Sequence, residues 1–204
     1  MTDSLVVLLH GVGATGADLA PLVEPLKAFL PSTAFALPDA PAPFDGGGRA
    51  RQWFSVAGVS ADNRGQRVEA ARDGFDRVLA ATLAANGFAG RLDRVALFGF
   101  SQGAIMALDA VASGRWPVAA VVAAAGRLPG TGPLPPAATP TAALLLHGEA
   151  DAVVPPDESR CAAPRLKAAG FPVEARFFAG LGHALSPEGV AAAGAFLARA
   201  LPPA

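Results

Sequence analysis

Short apolar runs alternate with longer stretches of helical character along the chain. The runs are apolar nearly throughout, which is typical of strands covered on both faces. They predict strands at 4–9, 33–37, 93–98, 118–124, 141–146 and 173–178, and the stretches between them predict helices at 18–30, 65–86, 102–114, 157–169 and 187–201. Strict alternation of strand and helix predicts an α/β fold, in which a parallel sheet carries helices on both sides.

The chain shows no internal repeat and no linker that would divide it, so the sequence predicts a single domain over residues 1–204. Two stretches rich in proline and glycine, 38–49 and 126–140, predict long loops. Only 126–140 could form a lid, and it is short and rich in proline. We therefore expect an open site.

Composition limits the possible partners. The chain is 52% hydrophobic and 16% charged, which suits a domain with one substantial core. Its 16 Lys and Arg residues against 17 Asp and Glu residues leave a net charge of −1. This balance gives no electrostatic basis for binding nucleic acid or an anionic membrane. The expected partner is a small, fairly uncharged molecule.

The single cysteine and the start of the chain predict where in the cell the protein is found. Cys161 cannot form an internal disulfide, so the fold does not depend on an oxidising compartment. Asp3 and the short run 5–9 lack the basic start and apolar length of a signal peptide, and no other run approaches a membrane span. We expect a cytoplasmic protein.

The candidate nucleophile follows the third predicted strand, where residues 99–103 read GFSQG, a G-x-S-x-G pattern. A strand before this pattern and an apolar helix after it form the context of a nucleophile elbow. Ser101 must then adopt a strained turn that exposes its hydroxyl. Side chains at positions 99 and 103 would collide with the neighbouring strand and helix, which explains both glycines.

A serine hydroxyl needs a general base, and the chain offers three histidines. In this fold the catalytic residues follow the order serine, carboxylate, histidine. That order excludes His10 and His147 and leaves His183, in the loop after the last predicted strand. We interpret His10 and His147, each before a glycine at a strand end, as structural residues.

The carboxylate that orients the base is expected after the fifth predicted strand. Asp151 lies just past that strand and can turn back toward His183, with Glu149 in reserve. Asp157 follows two prolines and is predicted to begin the next helix. A metal site formed by His147, Glu149 and Asp151 is an alternative, but such a lone cluster is more often a hydrogen-bonded loop.

The glycine-rich segment 11–16, GVGATG, matches the G-x-G-x-x-G pattern of dinucleotide-binding enzymes, and Asp39 lies where a ribose-binding carboxylate would be. In that fold the helix starts within the glycine pattern, which would place Pro21 and Pro25 inside the helix. A helix capped by Asp18, after the glycines, fits the prolines better. The glycine-rich segment is therefore interpreted as a loop.

That loop has a role in a serine hydrolase, because two backbone amides must stabilise the oxyanion of the reaction. One comes from the residue after the nucleophile, here Gln102, and the other from a loop after an earlier strand. The turn at residues 10–13 supplies the second, with Val12 as the expected donor. This chemistry requires no metal ion or cofactor.

Aromatic residues in the 38–60 loop are candidates for substrate binding. Phe44, Trp53 and Phe54 either line the cleft beside Ser101 or anchor the loop in the core, and the sequence does not favour one over the other. Arg127 either meets an anionic group at the mouth of the site or is merely solvated.

The chain resembles the phospholipase/carboxylesterase family of α/β-hydrolases, which also contains the acyl-protein thioesterases. The segments LHGVGATGADL, PDAPAP, RQWFSV, GFSQGAIMAL, HGEADAVVP and GLGHALSPEG appear in the family's order and cover essentially the whole chain. GRARQWFSVAGVSADNR, followed by GFSQGAIMAL, is similar to a small bacterial esterase branch.

The resemblance implies a triad of Ser101, Asp151 and His183, oxyanion donors at Val12 and Gln102, and a sheet of six or seven strands without a separate lid domain. The family usually has leucine where this chain has Val12, which gives a smaller wall for the acyl pocket. The expected function is hydrolysis of small, short-chain carboxylic esters. A thioesterase and a noncatalytic binding protein on the same fold are the alternatives, and a homodimer is possible.

Overall fold

The computed structural model describes residues 2–202 and has a six-stranded parallel sheet at its centre, as the sequence predicts. The eight strands are β1 (Ser4–Leu9), β2 (Thr33–Ala36), β3 (Ala42–Pro43), β4 (Arg51–Gln52), β5 (Val95–Phe100), β6 (Ala120–Ala124), β7 (Ala142–Gly148) and β8 (Val173–Phe178). The main sheet has the order β2-β1-β5-β6-β7-β8, while β3 and β4 form a separate antiparallel hairpin.

Within residues 2–202, five α-helices flank the sheet: α1 (Val23–Lys27), α2 (Arg64–Ala85), α3 (Gln102–Ala112), α4 (Asp157–Ala168) and α5 (Pro187–Ala200). Strand residues alternate between two cores. In β1, Leu5, Val7 and Leu9 belong to the core that includes side chains of α2, α3 and α4. Val6 and Leu8 belong to the core formed with α1 and α5. Because both faces are covered, β1, β5, β6 and β7 read as continuous apolar runs, whereas the edge strand β8 is partly exposed.

The predicted helix over 18–30 is wrong in detail. A 3-10 helix spans Gly16–Leu22 and the short helix α1 follows it, since prolines at 21 and 25 interrupt the backbone hydrogen-bond pattern. The N-cap is Thr15 rather than Asp18. Asp18 lies at the third helical position, where its carboxylate accepts hydrogen bonds from the Thr15 amide and hydroxyl at 2.7 and 2.9 Å.

The strand register brings the loops of the site to one edge of the sheet. Leu9 pairs with Gly99, Phe100 with Ala124, and the end of β7 with the end of β8. The carboxyl ends of the parallel strands therefore lie side by side. Ligand sites of open α/β sheets form at this edge.

The 126–140 segment contains neither helix nor strand. Leu128 is buried in the core, and Leu134 packs against that core. The Arg165 guanidinium of α4 donates hydrogen bonds to the carbonyls of Gly130 and Gly132. These contacts hold the segment against the body of the protein.

Candidate active site

Ser101 occupies the sharp turn between β5 and α3. Its backbone has φ 52° and ψ −116°, a conformation that residues with a side chain rarely adopt. The Ser101 amide donates to the Ala124 carbonyl at 2.9 Å, which joins the turn to the neighbouring strand. The strain expected from the G-x-S-x-G pattern is therefore present at Ser101.

The two glycines of the elbow allow three segments to approach closely. A methyl group at Gly103 would overlap the Leu9 carbonyl at the end of β1. A methyl group at Gly99 would lie 2.5 Å from the backbone of Ala104 in α3. Larger residues at either position would push β1, β5 and α3 apart and move Ser101.

His183 lies in the loop after β8, with its Nε2 atom 2.9 Å from the Ser101 Oγ atom. This loop is joined to the loop after β7, since the Ala150 amide donates to the Leu181 carbonyl at 2.9 Å. The Phe100 ring packs on the imidazole with 5.1 Å between ring centres. The joined loops and the Phe100 ring thus position the imidazole beside Ser101.

Asp151 completes the arrangement, with its Oδ2 atom 2.7 Å from the His183 Nδ1 atom. Its Oδ1 atom accepts hydrogen bonds from the amides of Val153 and Val154 at 2.8 and 2.9 Å. Burial by itself raises the pKa of Asp151, but the hydrogen bonds from His183, Val154 and Val153 outweigh it and hold the pKa below its ordinary value. The carboxylate is therefore ionised and keeps the His183 proton on Nδ1, so that Nε2 accepts from the Ser101 hydroxyl.

The other carboxylates of this region have different partners. Glu149 pairs with Arg160 at 2.9 Å on the surface, and Asp157 is the first residue of α4. His147 is buried, with Nε2 2.8 Å from the Val154 carbonyl and Nδ1 2.7 Å from the Ser159 hydroxyl. His147 thus supports the turn that contains Asp151. Within residues 2–202, no cluster of His, Cys, Asp and Glu is arranged to hold a metal ion.

His10 anchors the loop after β1. Its Nε2 atom accepts from the Ala40 amide at 3.0 Å and its Nδ1 atom lies 2.7 Å from the Gly11 carbonyl. Asp39 accepts from the Gly16 amide at 2.7 Å, so it fastens the glycine-rich segment rather than binding a ribose. Burial lowers the pKa of His10, and the hydrogen bond to Gly11 only partly opposes this effect.

Val12 and Gln102 both line the cavity that contains Ser101. The Gln102 amide opens α3 and has no acceptor within its own helix. The Gln102 side chain also makes two hydrogen bonds that the sequence did not indicate. Its Oε1 atom accepts from the Trp53 amide and its Nε2 atom donates to the Phe54 carbonyl, each at 2.7 Å.

The three aromatic candidates for substrate binding have different environments. Phe54 lines the cavity. Trp53 does not: it is 3% exposed, belongs to the core, and donates its indole N–H to the His10 carbonyl at 2.9 Å. Phe44 lies outside the lining and packs against Gly13 and Gly46. Trp53 and Phe44 are therefore corrected to structural residues, because their contacts are with the loops and not with the cleft.

The cavity beside Ser101 has a volume of about 380 Å³ and a mostly aliphatic lining. Val68 and Ile105 contribute buried side chains, while Val56, Val59 and Val153 are exposed at the rim. Two arginines also line it: Arg127, considered above, and Arg64, which the sequence did not single out. The remaining lining residues are Ser60, Ala61, Pro129 and Val154.

A strained serine at a strand-to-helix turn, hydrogen-bonded to a histidine that a buried aspartate orients, defines the class of α/β-hydrolases. The family model described as Phospholipase/Carboxylesterase matches residues 2–201. The chain belongs to this family, as the resemblance implied, and is a hydrolase of esters. No helix within the described part of the chain is long and apolar enough to span a membrane.

Several relatives are similar over nearly the whole chain. Esterase YpfH of Escherichia coli K12 is 32% identical over 186 residues, which cover 90% of this chain and 77% of that protein. Acyl-protein thioesterase 1 of Gibberella zeae is 26% identical over 216 residues, which cover 97% of this chain and 91% of that protein. The crystal structure of esterase PE8 superposes on this chain with a TM-score of 0.86. The two sequences are 32% identical, and the match covers 98% of this chain and 94% of the PE8 chain.

Proposed function

We propose that the protein is a serine carboxylesterase that hydrolyses small carboxylic esters through an acyl-enzyme on Ser101. The observation that carries this proposal is the continuous hydrogen-bonded chain from the Ser101 hydroxyl through His183 to Asp151, with distances of 2.9 and 2.7 Å. Membership of an ester-hydrolysing family and the similarity to esterases YpfH and PE8 support the same reaction.

In the first half of the reaction, the Ser101 Oγ atom attacks the ester carbonyl while His183 Nε2 accepts the hydroxyl proton. The amides of Val12 and Gln102 stabilise the negative charge that forms on the carbonyl oxygen. The bond to the alcohol oxygen then breaks, and His183 transfers its proton to the leaving alcohol. The product is an acyl ester on Ser101.

In the second half, water attacks the acyl carbonyl and His183 accepts a water proton. The bond to the Ser101 oxygen breaks, that oxygen recovers the proton from His183, and the carboxylic acid leaves. Asp151 remains ionised throughout and stabilises the protonated imidazole.

Labelling with a fluorophosphonate, followed by mapping of the modified peptide, tests this proposal. The adduct should lie on Ser101, and Ser101→Ala should abolish it. A Ser60→Ala variant is the matched control, since Ser60 also lines the cavity but contacts neither His183 nor Asp151. An adduct on another serine, or none in a folded protein, would exclude the assignment.

Thioester hydrolysis is a second candidate, because acyl-protein thioesterases are among the relatives. The same residues could cleave either bond, since only the leaving group differs. Comparison of kcat/KM for a butyryl ester and a butyryl thioester with similar leaving groups separates the two. Location in the cytoplasm and assembly as a homodimer stay predictions, and size-exclusion chromatography with light scattering tests the second.

A further inference from the structure

One side of the cavity beside Ser101 carries two guanidinium groups that share a single carboxylate. Arg64, the first residue of α2, and Arg127, in the segment after β6, both line the cavity. The Nη1 atoms of Arg64 and Arg127 both donate to the Oε1 atom of Glu158, at 2.8 and 3.0 Å. Among the described lining residues, these two arginines carry the only full charges.

This group has a net positive charge that the carboxylate does not cancel. Two guanidiniums against one carboxylate leave one formal positive charge. Glu158 lies in the first turn of α4, where the helix dipole further offsets its negative charge. The three side chains are only 21–26% exposed, so salt and water screen the charge less than on an open surface.

The arginines also keep hydrogen-bond donors available. A guanidinium has five N–H donors, and the structure gives Arg64 and Arg127 one side-chain acceptor each. The rest of the lining is mostly aliphatic, with Phe54, Val68 and Ile105 on the walls. A chain that packs against these walls would find its hydrogen-bonding partner at the arginines.

We propose that Arg64 and Arg127 make the enzyme selective for esters whose short chain inside the cavity carries a carboxylate, such as monoesters of short dicarboxylic acids. This inference rests on the proposed esterase function and specifies its substrate class. It replaces the expectation of an uncharged substrate, which came from the net charge of the whole chain. That net charge does not describe the two guanidiniums at the cavity.

The same contacts could instead serve only to hold the cavity wall, since they join the starts of α2 and α4 to the segment after β6. A purely structural contact would affect charged and neutral esters alike. A selective contact changes the ratio of kcat/KM for the charged ester to kcat/KM for the neutral ester. This charged-to-neutral ratio is therefore the quantity to measure.

The test compares the monoethyl esters of succinic, glutaric and adipic acid with ethyl butyrate, pentanoate and hexanoate, following acid release in a pH-stat. The wild-type protein should show kcat/KM about 10-fold or more higher for the charged ester at one chain length at least, as expected for hydrogen bonds to a charged group. Arg64→Gln and Arg127→Gln should each bring the charged-to-neutral ratio toward one.

Glu158→Gln should raise the ratio, because it removes the competing carboxylate and keeps both arginines. This variant decides the question if an arginine variant fails to fold. Arg199→Gln, on the exposed surface of α5, is the matched control and should leave the ratio unchanged. A wild-type ratio near one, or equal losses for both ester classes in the arginine variants, would overturn the inference.

Binding to the Ser101→Ala variant separates this inference from the proposed function. Calorimetry with monoethyl glutarate and ethyl pentanoate requires no catalysis. Tighter binding of the charged ester, lost when Arg64→Gln or Arg127→Gln is added, supports the selectivity even if the wild-type protein hydrolyses neither ester. Equal binding of the two esters contradicts it even if hydrolysis occurs.

Discussion

At the scale of single residues, Ser101 and Trp53 mark the range of what the sequence could predict. The backbone strain at Ser101 follows from a local pattern of five residues, because the small neighbours and the strained turn are adjacent in the chain. Trp53 is buried in the core, and its indole donates to the His10 carbonyl, 43 positions away. No local pattern contains that contact, so the sequence left cleft and core equally open.

We expect Gly103→Ala to destabilise the protein by about 1–3 kcal/mol, as overpacking does. The added methyl group would overlap the Leu9 carbonyl, so α3 and Ser101 must shift. A shift of this size should lower kcat by about 100-fold. Urea denaturation and ester kinetics measure the two effects.

Gly65→Ala is the control for that substitution. Its methyl group meets the nearest atom, the Pro129 carbonyl oxygen, at an ordinary 3.5 Å. Because Gly65 lies in α2, the change should stabilise the protein by about 0.5–1 kcal/mol. Equal free energies of unfolding and equal kcat values for the two variants would show that close packing at Gly103 is unimportant.

His10 should make the free energy of unfolding depend on pH. In the unfolded chain its imidazole binds a proton near its ordinary pKa of about 6.5, whereas burial lowers the pKa in the folded state. The unfolded state therefore binds more protons in the window below about 6.5. The stability that neutral His10 contributes is complete above this value and is lost as the pH falls through the folded pKa.

Urea denaturation of the wild type and of His10→Asn from pH 8 to pH 5 tests this. The variant should be less stable at pH 8, because the Ala40 amide loses its acceptor. The difference between the two proteins should shrink as the pH falls. A difference that stays constant over this range would exclude His10 as the titrating group.

At the scale of elements, the predicted strands and four of the five predicted helices agree with the structure to within two residues, since long apolar and amphipathic patterns identify them. Helix α1 was mispredicted because a 3-10 segment and two prolines do not produce a regular period. The β3–β4 hairpin was missed, because strands of two residues are too short to show any period.

The start of α3 is tied to the segment after β4 through the Gln102 side chain, and we expect Gln102→Leu to weaken this connection. The Trp53 amide and the Phe54 carbonyl would lose their partners, at a cost of about 1–3 kcal/mol for each buried group. The backbone amide at position 102 remains. KM should therefore rise more than kcat falls, because the wall at Phe54 shifts.

Gln66→Leu, on the exposed side of α2, is the matched control and should change stability by no more than about 0.5 kcal/mol. Denaturation and steady-state kinetics are measured on both variants. A fall in kcat with KM unchanged in Gln102→Leu would instead place the side chain itself in the reaction.

At the scale of the whole molecule, the site is formed by loops that the parallel sheet brings to one edge. The sequence could predict the approach of Ser101, Asp151 and His183, because each follows a strand and the order of the three is characteristic of the fold. It could not predict the contact of Arg64 and Arg127 with Glu158. That contact joins the start of α2, the segment after β6 and the start of α4. The distances between these three depend on how the whole chain packs.

The open cavity beside Ser101 predicts a preference for short acyl chains. The 126–140 segment is held by Arg165, and the cavity of about 380 Å³ opens past exposed valines at its rim. Each methylene that is buried gains about 0.8 kcal/mol, and one that projects into water gains nothing. Among p-nitrophenyl esters, kcat/KM should be highest at acetate or butyrate.

Ile105→Ala provides the companion measurement, because it shortens a side chain of the cavity wall and should move the maximum to a longer ester. A wild-type maximum at decanoate or longer would contradict the open cavity while leaving the assignment of Ser101 untouched.

Trp53 can also serve as an intrinsic fluorescence reporter of the cavity wall. The chain contains two tryptophans and no tyrosine, so Trp116→Phe leaves one indole to dominate the ultraviolet emission. That indole is buried, donates to the loop after β1 and is followed in the chain by Phe54 of the cavity wall. Its fluorescence would change when the wall moves. Stopped-flow emission could then follow movements of the wall at Phe54 during turnover without any attached dye.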